Sequence, residues 1–226
     1  GVHLGHKKNI LHPKARKYIY KMVNGTAVID LTITLAQIES AQAFMKEQAK
    51  AGKNLLVVAT KKTVSQFVDE ICKEHNIQSI TIKWMPGLLT NFETLMKNVK
   101  KMNELEEAKT KGEWDKFVKH ERTKFSKELY RLNRLYSGLS KMEKRPDVMF
   151  IVDVKKEKNA LNEAQKNNIP VVALLDTNAN PDTVTYPVVG NDDSANAAQI
   201  VIKDIIEAYA TSKAIPTKDA VSPKSK

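Results

Sequence analysis

The 226-residue sequence has little cysteine, few aromatic residues and no long apolar run. Its one cysteine, Cys72, excludes an intrachain disulfide and suits a reducing compartment. Aromatic residues make up 6% of the chain, so the core must be mainly aliphatic. No apolar run approaches the ~20 residues that cross a bilayer, and no signal peptide is visible. We therefore expect neither a disulfide-rich secreted domain nor a membrane partner.

Acidic residues are missing from the first 25 positions, which hold six Lys or Arg. A second basic stretch, residues 92–145, has fifteen Lys or Arg against nine acidic residues. The net charge of the chain is +11, so the remaining residues are close to neutral. Clustered cations release counterions together from a polyanion, whereas a general lysine bias would be spread evenly. The charge pattern favours a nucleic-acid-binding protein.

Strand and helix patterns alternate along most of the chain. Short apolar runs predict strands at 27–31, 54–60, 79–82, 148–154, 169–176 and 185–189. Apolar residues at helical spacing lie between them, for example Leu35, Ile38, Ala41, Met45 and Ala49, with Gly52 as a stop. The alternation predicts an α/β domain, residues 26–91 and 146–212, with a parallel sheet between helices.

Residues 92–145 interrupt this alternation with two narrow apolar seams between charged faces. The seams are Phe92/Leu95/Val99/Met102 and Leu129/Leu132/Tyr136/Leu139. They predict an inserted antiparallel hairpin that packs as a short coiled coil and bends near Gly112. The alternative is two ordinary amphipathic helices lying on the sheet. The polar, proline-punctuated residues 213–226 predict a flexible tail.

Two clusters could carry chemistry. His3, His6 and His12 could hold zinc, but residues 1–25 offer no acid or cysteine as further ligands, so we expect no metal there. Asp30, Asp153 and Asp176 each end a predicted strand, where open α/β sheets bind ligands. A magnesium-dependent enzyme using these aspartates is therefore the alternative function, although no glycine-rich phosphate loop accompanies them.

Two further residues have simpler interpretations. Cys72 lies on a predicted helix and is expected to be a buried, inert thiol. Trp84 follows a predicted strand at the start of "WMPGLLTNF", and packing is favoured over nucleotide stacking. Thr90 and Asn91, at the end of the same stretch, are expected to cap the helix that begins the hairpin.

Several stretches together resemble one family, the second universal protein of the small ribosomal subunit in its bacterial form. They are "GVHLGHKKNILHPKARKYIY", "ATKKT", "WMPGLLTNF", "RPDVMFIVD", "IPVVALLDTNANPD" and "YPVVGNDD", in the family's order and spacing. The resemblance implies a flavodoxin-like sheet with a protruding helical hairpin, no enzymatic activity and no cofactor. It also implies that the protein binds ribosomal RNA between the head and body of the small subunit and helps dock the large mRNA-binding protein.

With that resemblance, residues 1–25 are interpreted as a basic arm on ribosomal RNA. The predicted partners are small-subunit ribosomal RNA and neighbouring ribosomal proteins, with no small-molecule substrate. The expected location is a bacterial cytoplasmic ribosome, with an organellar ribosome as the alternative. The expected RNA contacts in the arm, at the turn before the hairpin and on its first helix are His3, His6, Lys7, Lys8, Asn9, His12, Lys14, Arg16, Lys17, Tyr18, Thr90, Asn91, Lys97, Lys100 and Lys101.

Overall fold

Two β-sheets and six α-helices account for most of residues 1–213, the part of the chain that this computed structural model describes. The strands are β1 Leu4–Lys7, β2 Ile19–Val23, β3 Thr26–Ile29, β4 Leu55–Val58, β5 Gln78–Ile80, β6 Val148–Val152, β7 Val171–Leu175 and β8 Tyr186–Val189. The helices are α1 Leu31–Lys50, α2 Ser65–Glu74, α3 Phe92–Thr110, α4 Lys119–Tyr136, α5 Lys158–Lys166 and α6 Ala195–Lys213.

The main sheet is parallel throughout, with its strands in the order β5-β4-β6-β7-β8. Every residue of β4, β6 and β7 is buried, as expected for strands covered on both faces. With β4 taken as the first strand, the order is 2-1-3-4-5, which is the flavodoxin-like order. The predicted fold class is confirmed.

Side chains alternate between the two faces of each strand, and each face has its own core. Leu55 and Val57 join the cluster formed with α1, α2 and α6. Leu56 and Val58 join the cluster formed with α5, the loop after β5 and the start of the hairpin. The carboxyl ends of the strands therefore meet at one edge of a three-layered body.

The inserted helices α3 and α4 pack on each other and on the 3-10 turns at their ends. All the predicted seam residues are buried except Leu95, which is half-buried, while Met96 beside it is buried. Gly112 takes φ +71° after α3, in the left-handed region, where the bend was predicted. The hairpin's seam joins the core under the sheet. Coiled-coil packing of the two helices stays a prediction.

The N-terminal region differs most from the sequence-based expectation. Residues 26–29 do form a strand, but β3 pairs antiparallel with β1 and β2 in a separate sheet. Its assignment to the parallel sheet is wrong. The turn between β2 and β3 is Asn24-Gly25, both with positive φ, and Asn-Gly is a strong hairpin signal. The predicted arm, residues 1–25, thus contributes two strands.

Three smaller outcomes concern single positions and the chain ends. Leu35, placed by its spacing on the buried face of α1, is 58% exposed, so that assignment is wrong. The predicted tail, 213–226, lies outside the described residues except for Lys213. None of the helices within residues 1–213 is both long and apolar enough to span a membrane.

Candidate functional site

The basic N-terminal segment, residues 1–25, is tied to loops at the carboxyl edge of the parallel sheet. The backbone N–H of His12 donates to the carbonyl oxygen of Thr177 at 2.9 Å, and that of His6 donates to Thr177 Oγ1 at 3.0 Å. A Cβ on Gly5 would lie 2.9 Å from the Thr177 side chain, so glycine permits this close approach. These contacts with Thr177 hold the N-terminal segment against the folded body.

Its predicted RNA contacts divide into unpaired and paired cations. Lys7, Lys8 and Arg16 are exposed and form no ion pair among the described residues, and Asn9 is exposed between them. The remaining two lysines share one carboxylate, Asp182. Lys14 Nζ lies 3.0 Å from Asp182 Oδ2, and Lys17 Nζ lies 3.3 Å from Asp182 Oδ1. Lys17 also lies 5.1 Å from the centre of the half-buried Tyr18 ring.

The three histidines have three different environments. His3 is exposed beside the start of β1. His12 accepts a hydrogen bond at Nδ1 from the backbone N–H of Lys14, which caps the 3-10 turn Pro13–Tyr18. His6 points toward the body, with Nδ1 3.1 Å from Asp176 Oδ2 and Nε2 3.4 Å from Asp193 Oδ2. Of the three, His3 is the exposed one.

Four carboxylates gather at the carboxyl ends of β6, β7 and β8. We call them the carboxylate cluster: Asp153, Asp176, Asp192 and Asp193. The partly buried Lys61, which follows β4, lies in this cluster. Its Nζ donates to Asp192 Oδ1 at 2.7 Å and to Asp193 Oδ1 at 2.6 Å, and it lies 3.6 Å from Asp153 Oδ2.

Lys61 and Asp192 shift each other's pKa within this cluster. Burial and the neighbouring Asp153 charge raise the pKa of Asp192 to about 6, although Lys61 opposes the shift. Burial lowers the pKa of Lys61, but its hydrogen bonds to Asp192 and Asp193 outweigh burial and raise it. An ammonium group held among carboxylates stays charged, so the cluster is partly neutralised from within.

His6, Asp176 and Asp193 could also hold a metal ion. One ligand atom from each lies within 4.8 Å of the others, and imidazole with carboxylates suits a divalent cation. The predicted absence of a metal rests on an acid-free N-terminal segment, whereas here the acids come from the body. Asp193 already bonds Lys61, which offsets part of its charge without a metal. That absence stays a prediction.

Asp30 does not belong to this cluster. Its carboxylate accepts hydrogen bonds from the backbone N–H of Thr32 at 2.9 Å and from Thr32 Oγ1 at 2.6 Å, capping α1. Asp153 accepts from the backbone N–H of Lys156 at 3.0 Å, and Asp176 accepts from Thr177. The structure therefore does not assemble the three predicted strand-end aspartates into one magnesium site.

The stretch "WMPGLLTNF" is organised by one acid, Glu163 of α5. Its carboxylate accepts from Trp84 Nε1 at 3.0 Å and from the backbone N–H groups of Gly87 and Leu89 at 2.8 and 3.0 Å. Burial raises the pKa of Glu163, but these bonds outweigh burial and lower it. Trp84 is 5% exposed, so its interpretation as a packing residue is confirmed.

Thr90 and Asn91 lie on the surface at the start of the hairpin. The backbone N–H of Thr90 also donates to Glu163, at 3.3 Å. Asn91 is the N-cap residue of α3, but its side chain makes no capping hydrogen bond, so the predicted side-chain cap is wrong. The three predicted α3 lysines are exposed, and Lys101 pairs with Glu128 of α4 at 2.7 Å.

The other half of the carboxyl edge holds cations that are not among the predicted contacts. Lys62, Lys83, Arg134 and Lys156 line a crevice beside β4 and β5. Part of the signal was available in the sequence, because Lys83 directly follows the predicted strand 79–82 and Lys62 lies two residues after the predicted strand 54–60. Arg134 comes from α4, and only the folded chain brings it to this edge.

Comparison with known proteins decides the family. The family model described as "Ribosomal protein S2" matches residues 1–212. The chain belongs to the ribosomal protein S2 family. It is 40% identical over 220 residues to the small ribosomal subunit protein uS2 of Dictyoglomus thermophilum, covering 97% of this chain and 89% of that protein. It is 38% identical over 208 residues to the uS2 protein of Coprothermobacter proteolyticus, covering 92% of this chain and 78% of that protein.

Membership of the ribosomal protein S2 family settles the broad function. The family is structural and non-enzymatic, so the alternative of a magnesium-dependent enzyme using Asp30, Asp153 and Asp176 is wrong. The protein has a structural role in the ribosome, and the sequence resemblance to this family is confirmed.

Proposed function

We propose that this protein binds ribosomal RNA between the head and body of the small subunit. The carrying observation is the N-terminal segment, which presents Lys7, Lys8 and Arg16 without ion-pair partners among residues 1–213. The segment is also held by backbone bonds to Thr177. Fixed cations lose less freedom on binding a phosphate backbone than cations on a free arm would.

The hairpin supplies a second set of contacts in this proposal. Lys97 and Lys100 are exposed on α3, one turn apart, and Asn91 is exposed at the start of that helix. Cations on one helix face can follow consecutive phosphates, while an amide can contact sugar or base edges. In this proposal residues 1–25 and 92–145 contact RNA, and residues 26–91 with 146–212 form the folded body, although β3 pairs across the first boundary.

A matched pair of variants tests the RNA contact. The first replaces Lys7, Lys8, Lys14, Arg16 and Lys17 by Ala. The control replaces five exposed helix lysines, Lys46, Lys50, Lys73, Lys166 and Lys203, and so changes the net charge equally. We expect the first variant to weaken binding to small-subunit ribosomal RNA and to flatten its salt dependence. The control should keep the wild-type slope, because counterion release counts the phosphates contacted.

Sedimentation gives the decisive negative outcome. If the wild-type protein stays in the soluble fraction and never moves with small subunits, the proposed function is refuted. Equal slopes for the two variants would instead mean that the N-terminal segment is not the electrostatic contact. Both measurements use the full chain.

The proposal includes a neighbouring protein and a compartment. Family resemblance supports a role in docking the large mRNA-binding protein of the small subunit, and the bacterial relatives support a cytoplasmic ribosome. Small subunits reconstituted without this protein should retain less of the mRNA-binding protein, and adding the chain back should restore it. Unchanged retention would refute the docking role.

A further inference from the structure

The carboxyl edge of the parallel sheet contains a crevice that is lined by none of the RNA contacts proposed above. It has a volume of about 630 Å³. It lies at the ends of β4 and β5, between the first turn of α5 and the base of α4. Besides the four cations, its lining includes Thr60, Ser65, Thr81 and Asn159. We call the surface formed by Lys62, Lys83, Arg134 and Lys156 the basic crevice.

The cations of the basic crevice are exposed and almost free of partners. Within residues 1–213, the side chains of Lys62, Lys83 and Arg134 form no ion pair and no hydrogen bond. Lys156 Nζ donates one hydrogen bond, to the carbonyl oxygen of Thr60 at 2.9 Å. Their charge is therefore available to a ligand.

The acid that lines the crevice does little to cancel this charge. Glu157 is 4% exposed, and its carboxylate accepts a hydrogen bond from Thr60 Oγ1. Burial raises the pKa of Glu157, although the Thr60 bond and Lys156 oppose the shift. A buried carboxylate with a fixed partner cannot reach out to the lysines at the rim, so the crevice stays electropositive.

The crevice lies at the point of the sheet where successive helices change from one face to the other. The strands β4 and β6 are neighbours, yet α2 and α5, which follow them, lie on opposite faces of the sheet. Ligands of doubly wound sheets bind at such a switch point. Both helices also begin there without a side-chain cap, which adds positive partial charge to that of the four cations.

We propose that the basic crevice binds the phosphodiester backbone of small-subunit RNA, as a contact separate from the N-terminal segment and α3. This inference rests on the proposed RNA-binding function. An extended polyanion fits because the four cations come from four separate parts of the fold: the loop after β4, the loop after β5, helix α4 and the turn before α5. An acidic protein segment would also be attracted, but an interface of that kind gains most from apolar anchors. In this crevice Trp84 is buried, and Ile82 is the exposed apolar side chain.

A charge-matched pair of triple variants tests the proposal. The crevice variant replaces Lys62, Lys83 and Arg134 by Ala, and the control replaces Lys46, Lys50 and Lys166 by Ala. None of the three crevice side chains has a partner within residues 1–213, so the variant should fold normally. We expect its salt slope for RNA binding to fall by about 2 to 3 and its affinity to fall about tenfold or more at ~0.1 M salt. The control should match the wild type.

A tethered probe locates the RNA directly. Cys72 is buried and burial raises its pKa to about 12, so a cysteine introduced by Asn159→Cys can be labelled selectively with an iron chelate. Assembled small subunits carrying this label should show backbone cleavage at a short RNA stretch. A label at Lys203→Cys, on α6, should not cleave that stretch.

The outcomes separate the two proposals. One set of results would overturn only the proposal for the basic crevice: the wild type binds RNA, the crevice variant has the wild-type salt slope, and the label at position 159 cleaves no RNA. Failure of the wild type to bind small-subunit RNA would overturn the proposed function. Cleavage of a neighbouring protein by the label at position 159, with the RNA slope unchanged, would show that the crevice takes a protein segment and would also overturn the inference.

Discussion

The carboxyl edge of the parallel sheet has two halves that handle charge in opposite ways. In the carboxylate cluster, acids from three strand ends surround Lys61, and His6 of the N-terminal segment covers them. In the basic crevice, cations stand without acidic partners among the described residues. Lys61 and Lys62 are neighbours in sequence, yet one is an internal counterion and the other is free at the surface. Charge sign alone therefore does not distinguish these two lysines, whereas charge compensation does.

The largest effect should come from removing the internal counterion. Lys61→Ala leaves the buried Asp192 carboxylate without its ammonium partner, and breaking such a pair costs about 3 kcal/mol or more. We expect the free energy of unfolding in urea to fall by that amount at pH 7. The loss should be smaller near pH 5, because the raised pKa of Asp192 leaves that carboxyl largely protonated there.

Lys62→Ala is the matched control, because it removes an exposed lysine at the next position. Its unfolding free energy should stay within about 0.5 kcal/mol of the wild-type value. Equal losses of unfolding free energy in Lys61→Ala and Lys62→Ala would contradict the difference between the two halves of the edge. Adding Asp192→Asn to Lys61→Ala should recover part of the loss.

A second prediction concerns the acid beneath the loop after β5. Glu163→Gln replaces a carboxylate oxygen that accepts hydrogen bonds with an amide nitrogen that cannot accept them. A buried N–H group, such as that of Leu89, then loses its acceptor, which costs about 2 kcal/mol. We expect that loss in urea unfolding at pH 7, while exposed Glu39→Gln should change little.

The pH dependence of this effect has a defined sign. The pKa of Glu163 is lowered in the folded state, so its stabilisation is present above its usual pKa and is lost as pH falls through the folded value. The difference in unfolding free energy between the wild type and Glu163→Gln should therefore become smaller as the pH falls. A difference that grows instead would contradict the assigned hydrogen bonds.

Sequence patterns were sufficient for the elements whose stability is local or whose burial is complete. Fully apolar runs identified β4, β6 and β7, because a strand covered on both faces admits no polar residue. The seams of α3 and α4 were visible for a similar reason. The hairpin of β2 and β3 could also have been found, since Asn24-Gly25 is a turn signal lying between two strand-like runs.

The long-range polar contacts could not have been found in this way. Glu163 meets Trp84 across 79 positions and His6 meets Asn178 across 172, so neither partner is implied by local spacing. For this reason the sequence could not show that His6 of the basic segment lies against Asp176 and Asp193. Periodicity reports which face of an element is buried, and it does not report which charges meet at a sheet edge.

A third prediction separates the two halves by pH. Because the pKa of Asp192 is raised to about 6 in the folded state, the native protein binds a proton that the unfolded chain releases between about pH 4 and 6. Stability from this group is therefore highest at low pH and falls as pH rises through that window. Asp192→Asn removes the buried charge and should be more stable than wild type by about 1–2 kcal/mol at pH 7.5.

Urea unfolding at several pH values measures this difference. The advantage of Asp192→Asn should shrink toward zero near pH 4, because the wild-type carboxyl is then neutral as well. Asp69→Asn, at an acid paired on the surface of α2, is the control and should show no comparable rise. A constant difference from pH 4 to 7.5 would mean that Asp192 carries no unfavourable charge.

The smallest effect applies the same rule of compensation within the N-terminal segment. Lys7 and Lys8 have no acidic partner among residues 1–213, whereas Lys14 and Lys17 share Asp182. Replacing Lys7 and Lys8 by Ala should lower the salt slope of RNA binding by about 2, and replacing Lys14 and Lys17 should lower it by only about 1. Binding to small-subunit RNA measured over a series of salt concentrations gives both slopes. The Asp182→Asn variant should bind RNA a few-fold more tightly than the wild type, because it releases Lys14 and Lys17 from their shared acid. Equal slopes for the two double variants, with no gain from Asp182→Asn, would show that RNA displaces this acid without cost and that internal pairing does not decide which lysines bind.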